Sequence, residues 1–158
     1  MKRAFAALAL LSIAYGCFAS DFRNASWLMT EDQVAASEDT RAAGDVTLPG
    51  ERQIVYHAFV YGFAATITYT LVGDKLLSAT CRFTKDPGRA AFSAMKQELL
   101  GTRGAPAFEK ENLLGWRLDR TEIALTYLAD GTTYAAYWEK AYFARINDVA
   151  ETGSTLKN

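Results

Sequence analysis

Between Thr66 and Thr84 the chain reads "TITYTLVGDKLLSATCRFT", and no other stretch limits the fold as much. Ile67, Tyr69 and Leu71 alternate with Thr66, Thr68 and Thr70, a period of two that suits a strand with one buried and one solvated face. "VGDK" supplies a turn, and on the return Leu77, Ala79, Cys81 and Phe83 alternate with Ser78, Thr80, Arg82 and Thr84. Cys81 is thereby expected on the apolar face, as a small buried hydrophobe with a poorly ionised thiol.

The segments around this hairpin extend the pattern. Upstream, "QIVYHAFVYGFAA" is rich in β-branched and aromatic residues and reads as strand. Downstream, Ile123, Leu125 and Tyr127 share one face of a strand, "ADG" turns the chain, and "TTYAAYWEKAYF" returns. Two helices interrupt the strands. The first opens at Thr30, where Gln33 three positions on completes a capping box, Glu31 and Asp32 suit the helix N-terminus, and Met29 and Val34 stand at hydrophobic-staple positions. The second spans "KDPGRAAFSAMKQELLG", with Phe92, Met95 and Leu99 on one face, Asp86 as cap, Pro87 at the first helical position and Gly101 at the end. "RAAGDVTLPGE" and "TRGAPAFEKEN" read as connections.

The expected fold is therefore α+β: a two-layer sandwich of two helices on a mainly antiparallel sheet of about six strands, in the order α-β-β-β-α-β-β-β. With 158 residues the chain has room for one core. Residues 20–146 are read as a single domain and 147–158 as a polar C-terminal tail.

Residues 1–19 read as a secretory signal: Lys2 and Arg3 precede an apolar run from Ala4 to about Ala14, too short to span a bilayer. Cys17 and Ala19 satisfy the small-residue rule for cleavage after Ala19. A competing signal, "AYGC", is similar to the lipobox of bacterial lipoproteins, which would make Cys17 a lipidation site. Ala14 and Tyr15 fit that box poorly, so a soluble periplasmic or extracellular protein is preferred over an outer-membrane lipoprotein, and membrane attachment follows only if Cys17 is lipidated. Either route leaves Cys81 without a disulfide partner in its own chain. Cleavage after Ala19 would leave 15 basic against 18 acidic residues, a charge of −3, and the near balance gives no footprint for nucleic acid.

The chemistry is mostly excluded. No Gly-x-Ser-x-Gly elbow, Walker loop, His-Glu-x-x-His, Cys-x-x-Cys or EF-hand loop is present, and His57 is the only histidine. His57 reads as an ordinary sheet residue, while Glu109, Glu111, Asp119 and Glu122 read as solvated charges before they read as a catalytic carboxylate pair. No enzyme activity, cofactor or metal site is expected. What the chain has in excess is aromatic strand surface. Tyr61 and Phe63 in "HAFVYGF", and Tyr134, Trp138 and Tyr142 alternating along "TYAAYWEKAYF", are the candidate binding residues.

"FRNASWLMTEDQV" followed by "LLGTRGAP" resembles small secreted bacterial proteins in which a helix opens after Trp-Gly-Met-Ser/Thr and a second ends in Leu-x-x-x-x-Gly-x-Pro, with Leu28 here at the Gly position. Similar signatures occur in SmpA/OmlA-type outer-membrane lipoproteins and in β-lactamase-inhibitor-protein-like domains. That resemblance implies holding other proteins through a sheet or loop surface. The expected function is a non-catalytic protein-binding or assembly module with a partner in the cell envelope; the alternative is a periplasmic carrier of a small apolar or aromatic ligand.

Overall fold

The computed structural model describes residues 20–155, with side chains described as far as Asp148. The signal segment, the Ala19 cleavage site and Cys17 lie outside the described residues.

A helix followed by a four-stranded antiparallel meander occurs twice. The first unit is α1 (Glu31–Ser37), β1 (Gly44–Leu48), β2 (Glu51–Val60), β3 (Phe63–Val72) and β4 (Lys75–Phe83). The second is α2 (Ala90–Arg103), β5 (Phe108–Lys110), β6 (Leu113–Arg117), β7 (Thr121–Tyr127) and β8 (Thr133–Glu139), and α3 (Lys140–Thr155) closes the chain. The strands form one sheet in the order β1-β2-β3-β4-β8-β7-β6-β5. The two meanders join where β4 pairs with β8, from Ser78 opposite Trp138 to Phe83 opposite Thr133.

Two helices on a six-stranded sheet in the order α-β-β-β-α-β-β-β is thus not the fold. Each half has a fourth strand, and there is a third helix. Three local features account for the difference. β1 lies within the segment read as a connection: all five of its residues are exposed at the sheet edge, so no alternation marks it, and the Pro49-Gly50 turn, with Gly50 at φ 77°, folds it onto β2. "HAFVYGF" is not one strand. Tyr61 (φ 54°) and Gly62 (φ 83°) make a two-residue turn of left-handed conformation, which Gly62 favours and Tyr61 hides. β5 is a three-residue edge strand whose Phe108 ring covers Gly115 opposite, where an added Cβ would meet Phe108 Cε1 at 2.0 Å.

The third helix was concealed by accidental alternation. Tyr134, Ala136, Trp138, Lys140 and Tyr142 read as one strand face, yet the strand ends at Glu139, whose Oε2 accepts the Tyr142 N–H at 2.8 Å and caps α3. α3 then continues as far as Thr155, into the residues read as a polar tail.

Both α1 and α2 cover the same face. Val34 of α1 and Phe92, Met95 and Leu99 of α2 join Tyr56, Ile67, Tyr69, Cys81, Phe83, Leu125 and Tyr137 in one core. Fully burying a side chain of this size contributes roughly 1.5–3 kcal/mol. The period-two register fails at one place: a bulge between Thr70 and Leu71 on β3 faces an extra residue on β4, so that Leu76, opposite Leu71, takes the core position and Leu77 is set outside that cluster. There the chain at 28–29 completes the ladder, Leu28 N–H donating to the Leu76 carbonyl and Leu76 N–H to the Met29 carbonyl, both at 2.9 Å.

The N-terminal segment 20–29 bridges the two halves. Phe22 sets its ring against Tyr69 of β3 and Tyr137 of β8, at centroid distances of 5.6 and 4.7 Å. Trp27 Nε1 donates to Thr121 Oγ1 on β7 at 2.8 Å, and Asp21 accepts the Trp27 N–H at 2.9 Å and the Thr121 hydroxyl at 3.3 Å. Trp27 is therefore core, placed by its indole N–H as well as its bulk.

Candidate functional site

On the face away from α1 and α2, every second residue of β3 and β4 points outward. Thr66, Thr68 and Thr70 lie opposite Arg82, Thr80 and Ser78, giving two adjoining rows in which five short hydroxyl side chains are joined by the long Arg82. Threonine serves here because its branched Cβ suits the pleated backbone while its hydroxyl stays available. Beside Arg82, Thr80 and Ser78 stand Tyr134, Ala136 and Trp138 of β8, so the small Ala136 leaves a dip between two large rings.

α3 forms the opposing wall. Phe143 packs against Trp138 with ring centroids 5.1 Å apart, which turns Tyr142 and Ile146 toward the strands. The result is a groove of about 410 Å³ lined by these hydroxyls, by Tyr134, Trp138, Tyr142 and Ile146, and by Glu51, Gln53 and Arg82. Burial, reinforced by the Glu51 carboxylate and opposed by Arg145, raises the Tyr142 phenol above its ordinary value, so it stays a neutral donor. Arg145 lies 5.7 Å from the centre of the Tyr142 ring. Glu51 accepts from Gln53 at 2.7 Å, and Arg82 is exposed.

Of the five residues proposed from the sequence, Tyr134, Trp138 and Tyr142 come together in this groove, Tyr142 from a helix and not from the strand expected of it. Phe63 and Tyr61 do not. Phe63 packs edge-on against Phe83 at 6.4 Å, on the core side. Tyr61 lines a second cavity, of about 230 Å³, beneath α2. The hydroxyl rows were visible in the sequence as alternation, but nothing in that pattern said that a helix would fold back over them.

No protein-family model, curated protein or solved structure matches this chain.

The remaining candidates are dispersed. His57 is exposed on β2 opposite Thr66, and Phe59, among the described residues the most exposed large apolar one at 78%, lies opposite Ala64 near the turn. Glu109 is paired with Lys96 at 2.6 Å, and Glu122 with Arg117 at 3.7 Å, each on its own strand. Cys81 is buried and its thiol is pushed up to about 12, by burial first and against the pull of Arg23. Among the described residues no group of three or more His, Cys, Asp and Glu is placed to hold a metal ion, and no helix is long and apolar enough to cross a membrane.

Proposed function

We propose that this chain is a non-catalytic protein-binding module of the bacterial envelope that works through the groove between the sheet and α3. The observation carrying this reading is the convergence of Tyr134, Trp138 and Tyr142 on two rows of hydroxyls. Tyr and Trp offer large, rigid contact area at low entropic cost, and small hydroxyls adapt their hydrogen bonds to the partner, the division of labour that antibody paratopes use. Glu51 and Arg82 both line the groove, so a bound segment meets charges of both signs. From Ser78 to Arg82 the floor runs about 13 Å, room for roughly four extended residues of a partner.

The address rests on residues 1–19 read as a cleaved signal, with the soluble form preferred over lipidation at Cys17. Burial of Asp21 and Phe22 fits a cut just ahead of them. The resemblance to SmpA/OmlA-type and β-lactamase-inhibitor-protein-like domains points the same way. Leu28, where that pattern carries glycine, has a φ of 70°, a conformation that glycine favours.

The test is capture from envelope extract by the exported, purified chain and by its Trp138→Ala/Tyr142→Ala variant. A partner retained by the wild type and reduced about tenfold or more with the variant is expected, since aromatic anchors carry about 2 kcal/mol or more each. Retention of the same proteins by both, or of none by either, would overturn the reading.

A further inference from the structure

The cavity beneath α2 is separate from the groove and lies on the opposite face of the sheet. Phe22 and Arg23 of the N-terminal segment, Met95, Leu99 and Arg103 of α2, and the Tyr61 turn surround it, and Cys81 and Tyr137 form part of its floor. Interiors pack closely and keep few voids larger than a water molecule. An apolar cavity of about 150 Å³ already accepts benzene. At about 230 Å³, this one has room for a six-membered ring with a short substituent.

Three polar groups at the cavity are under-used. Tyr137 is only 6% exposed, and its hydroxyl has no better acceptor than the Met95 thioether at 3.7 Å. A thioether is a weak acceptor. Arg103 donates to the Ser20 carbonyl at 3.1 Å and, among the described residues, has no carboxylate partner. Arg23, by contrast, is already committed to Glu38 at 3.1 Å. Tyr61, 47% exposed, is held in a left-handed conformation that costs a residue with a Cβ, and partial burial, with the Glu98 carboxylate next, raises its hydroxyl to about 12, so it too is a neutral donor at the cavity. Tyr137 lies within electrostatic reach of Tyr61, Cys81, Arg103 and Glu98. Two carboxylates also line the cavity: Glu98, which acts on Tyr61 and Tyr137 but is exposed and so screened by solvent, and Asp21, which is paired with Arg120 at 3.7 Å.

We propose that this cavity binds a compact aromatic monocarboxylate, its ring held among Phe22, Met95 and Leu99 and its carboxylate received by Arg103 with the hydroxyls of Tyr61 and Tyr137. The small-ligand alternative drawn from the sequence belongs here, not in the groove. A carboxylate fits better than a neutral acceptor because it gives Arg103 the counter-charge it lacks, and charge-assisted hydrogen bonds are about twice as strong as neutral ones.

The probes are benzoate, benzyl alcohol and 9-anthracenecarboxylate, added to the exported, purified chain while the methyl resonances of Val60, Met95 and Leu99 are followed by NMR. Benzoate should shift these methyls saturably, with a dissociation constant of about 1 mM or below. The anthracene acid, too large for the cavity, should leave them unmoved. Arg103→Gln should weaken benzoate about tenfold or more and change benzyl alcohol by less than about twofold. No saturable shift with benzoate, equal shifts with the anthracene acid, or equal effects of Arg103→Gln on acid and alcohol would each overturn the proposal. Trp138→Ala/Tyr142→Ala should leave benzoate binding unchanged, which keeps this test independent of the groove.

Discussion

In the first half of the sheet α1 ends against a charge pair, and in the second α2 begins on a lone carboxylate. Glu38, just past α1, has a side chain only 1% exposed; it takes Arg23 in two hydrogen bonds, at 3.1 and 3.2 Å, and the Tyr69 hydroxyl in a third. Asp86, ahead of α2, accepts the N–H groups of Ala91 and Phe92 at 3.2 and 3.0 Å and the buried Thr133 hydroxyl at 2.8 Å. Both carboxylates are satisfied, by different means. The first relies on a side chain from the N-terminal segment; the second relies on the helix's own backbone, whose free N–H groups carry partial positive charge. The halves also differ in backbone comfort. Among the described residues, every non-glycine residue with positive φ falls at or before Arg89, and from α2 onward only Gly104 and Gly131 adopt it. The start of α2 is thus held by its own backbone and the end of α1 by Arg23 of the N-terminal segment, while residues 20–29 dock on both halves.

Asp86→Ala should have the largest effect. It strands two helix N–H groups and the Thr133 hydroxyl, which is 0% exposed, and should lower unfolding free energy by about 3 kcal/mol, read from urea denaturation. Its pH dependence sharpens the comparison. Burial alone would raise this carboxyl, but the Phe92 amide, the Thr133 hydroxyl and the Ala91 amide outweigh it, so the group titrates below the ordinary aspartate value. A depressed folded value means that the contribution is present above about pH 4 and is lost as pH falls through the folded value. The gap between wild type and Asp86→Ala should therefore narrow from neutral pH to about pH 3. A constant gap would mean that Asp86 holds α2 by shape and not by charge.

Glu38→Ala breaks the corresponding device in the first half and should cost less, about 2 kcal/mol. The Arg23 side chain, 24% exposed, can recover part of its hydration, so Tyr69 alone is left with a buried, unpaired hydroxyl. A loss greater than that of Asp86→Ala would reverse the ranking of the two halves.

How much of this could be read from the chain follows the same division between local and distant causes. The β3–β4 hairpin was legible because Ile67, Tyr69 and Leu71 alternate with threonines and Gly73-Asp74 makes the turn. The start of α1 was legible too: the Thr30 N–H donates to Gln33 Oε1 at 2.9 Å, and Val34 is buried. The end of α2 was misplaced by three residues, since Gly101 lies inside the helix and Gly104, at φ 78°, ends it. Asp86 does bond the first N–H groups of α2, but the helix starts at Ala90 with Arg89 at the N-cap, and Pro87, expected at the first helical position, lies in the turn before it; the Asp86 bond to Thr133 joins positions 47 residues apart and has no local signature. Edge strands β1 and β5 were illegible because their exposed residues need no alternation. The groove was half legible: its rings stood out in "TYAAYWEKAYF", whereas the wall that α3 builds depends on Glu139 ending a strand whose alternation the sequence continues.

The smallest expected effect has the opposite sign and tests the strained half directly. Leu28 is 54% exposed, so replacing it forfeits little burial, yet its φ of 70° is costly for any residue with a Cβ. Both neighbouring ladder bonds to Leu76 use main-chain atoms and survive any substitution at this position that keeps the N–H. Leu28→Gly removes a strain of about 1 kcal/mol or more, and greater freedom of glycine in the unfolded chain returns part of it, leaving a gain of about 0.5 kcal/mol. The melting temperature should then rise by about 1–2 °C. Leu28→Val, β-branched and worse suited to this conformation, should lower it. If glycine destabilises and valine is neutral, the 28–29 segment is not strained, and the difference in backbone comfort between the two halves carries no energetic weight.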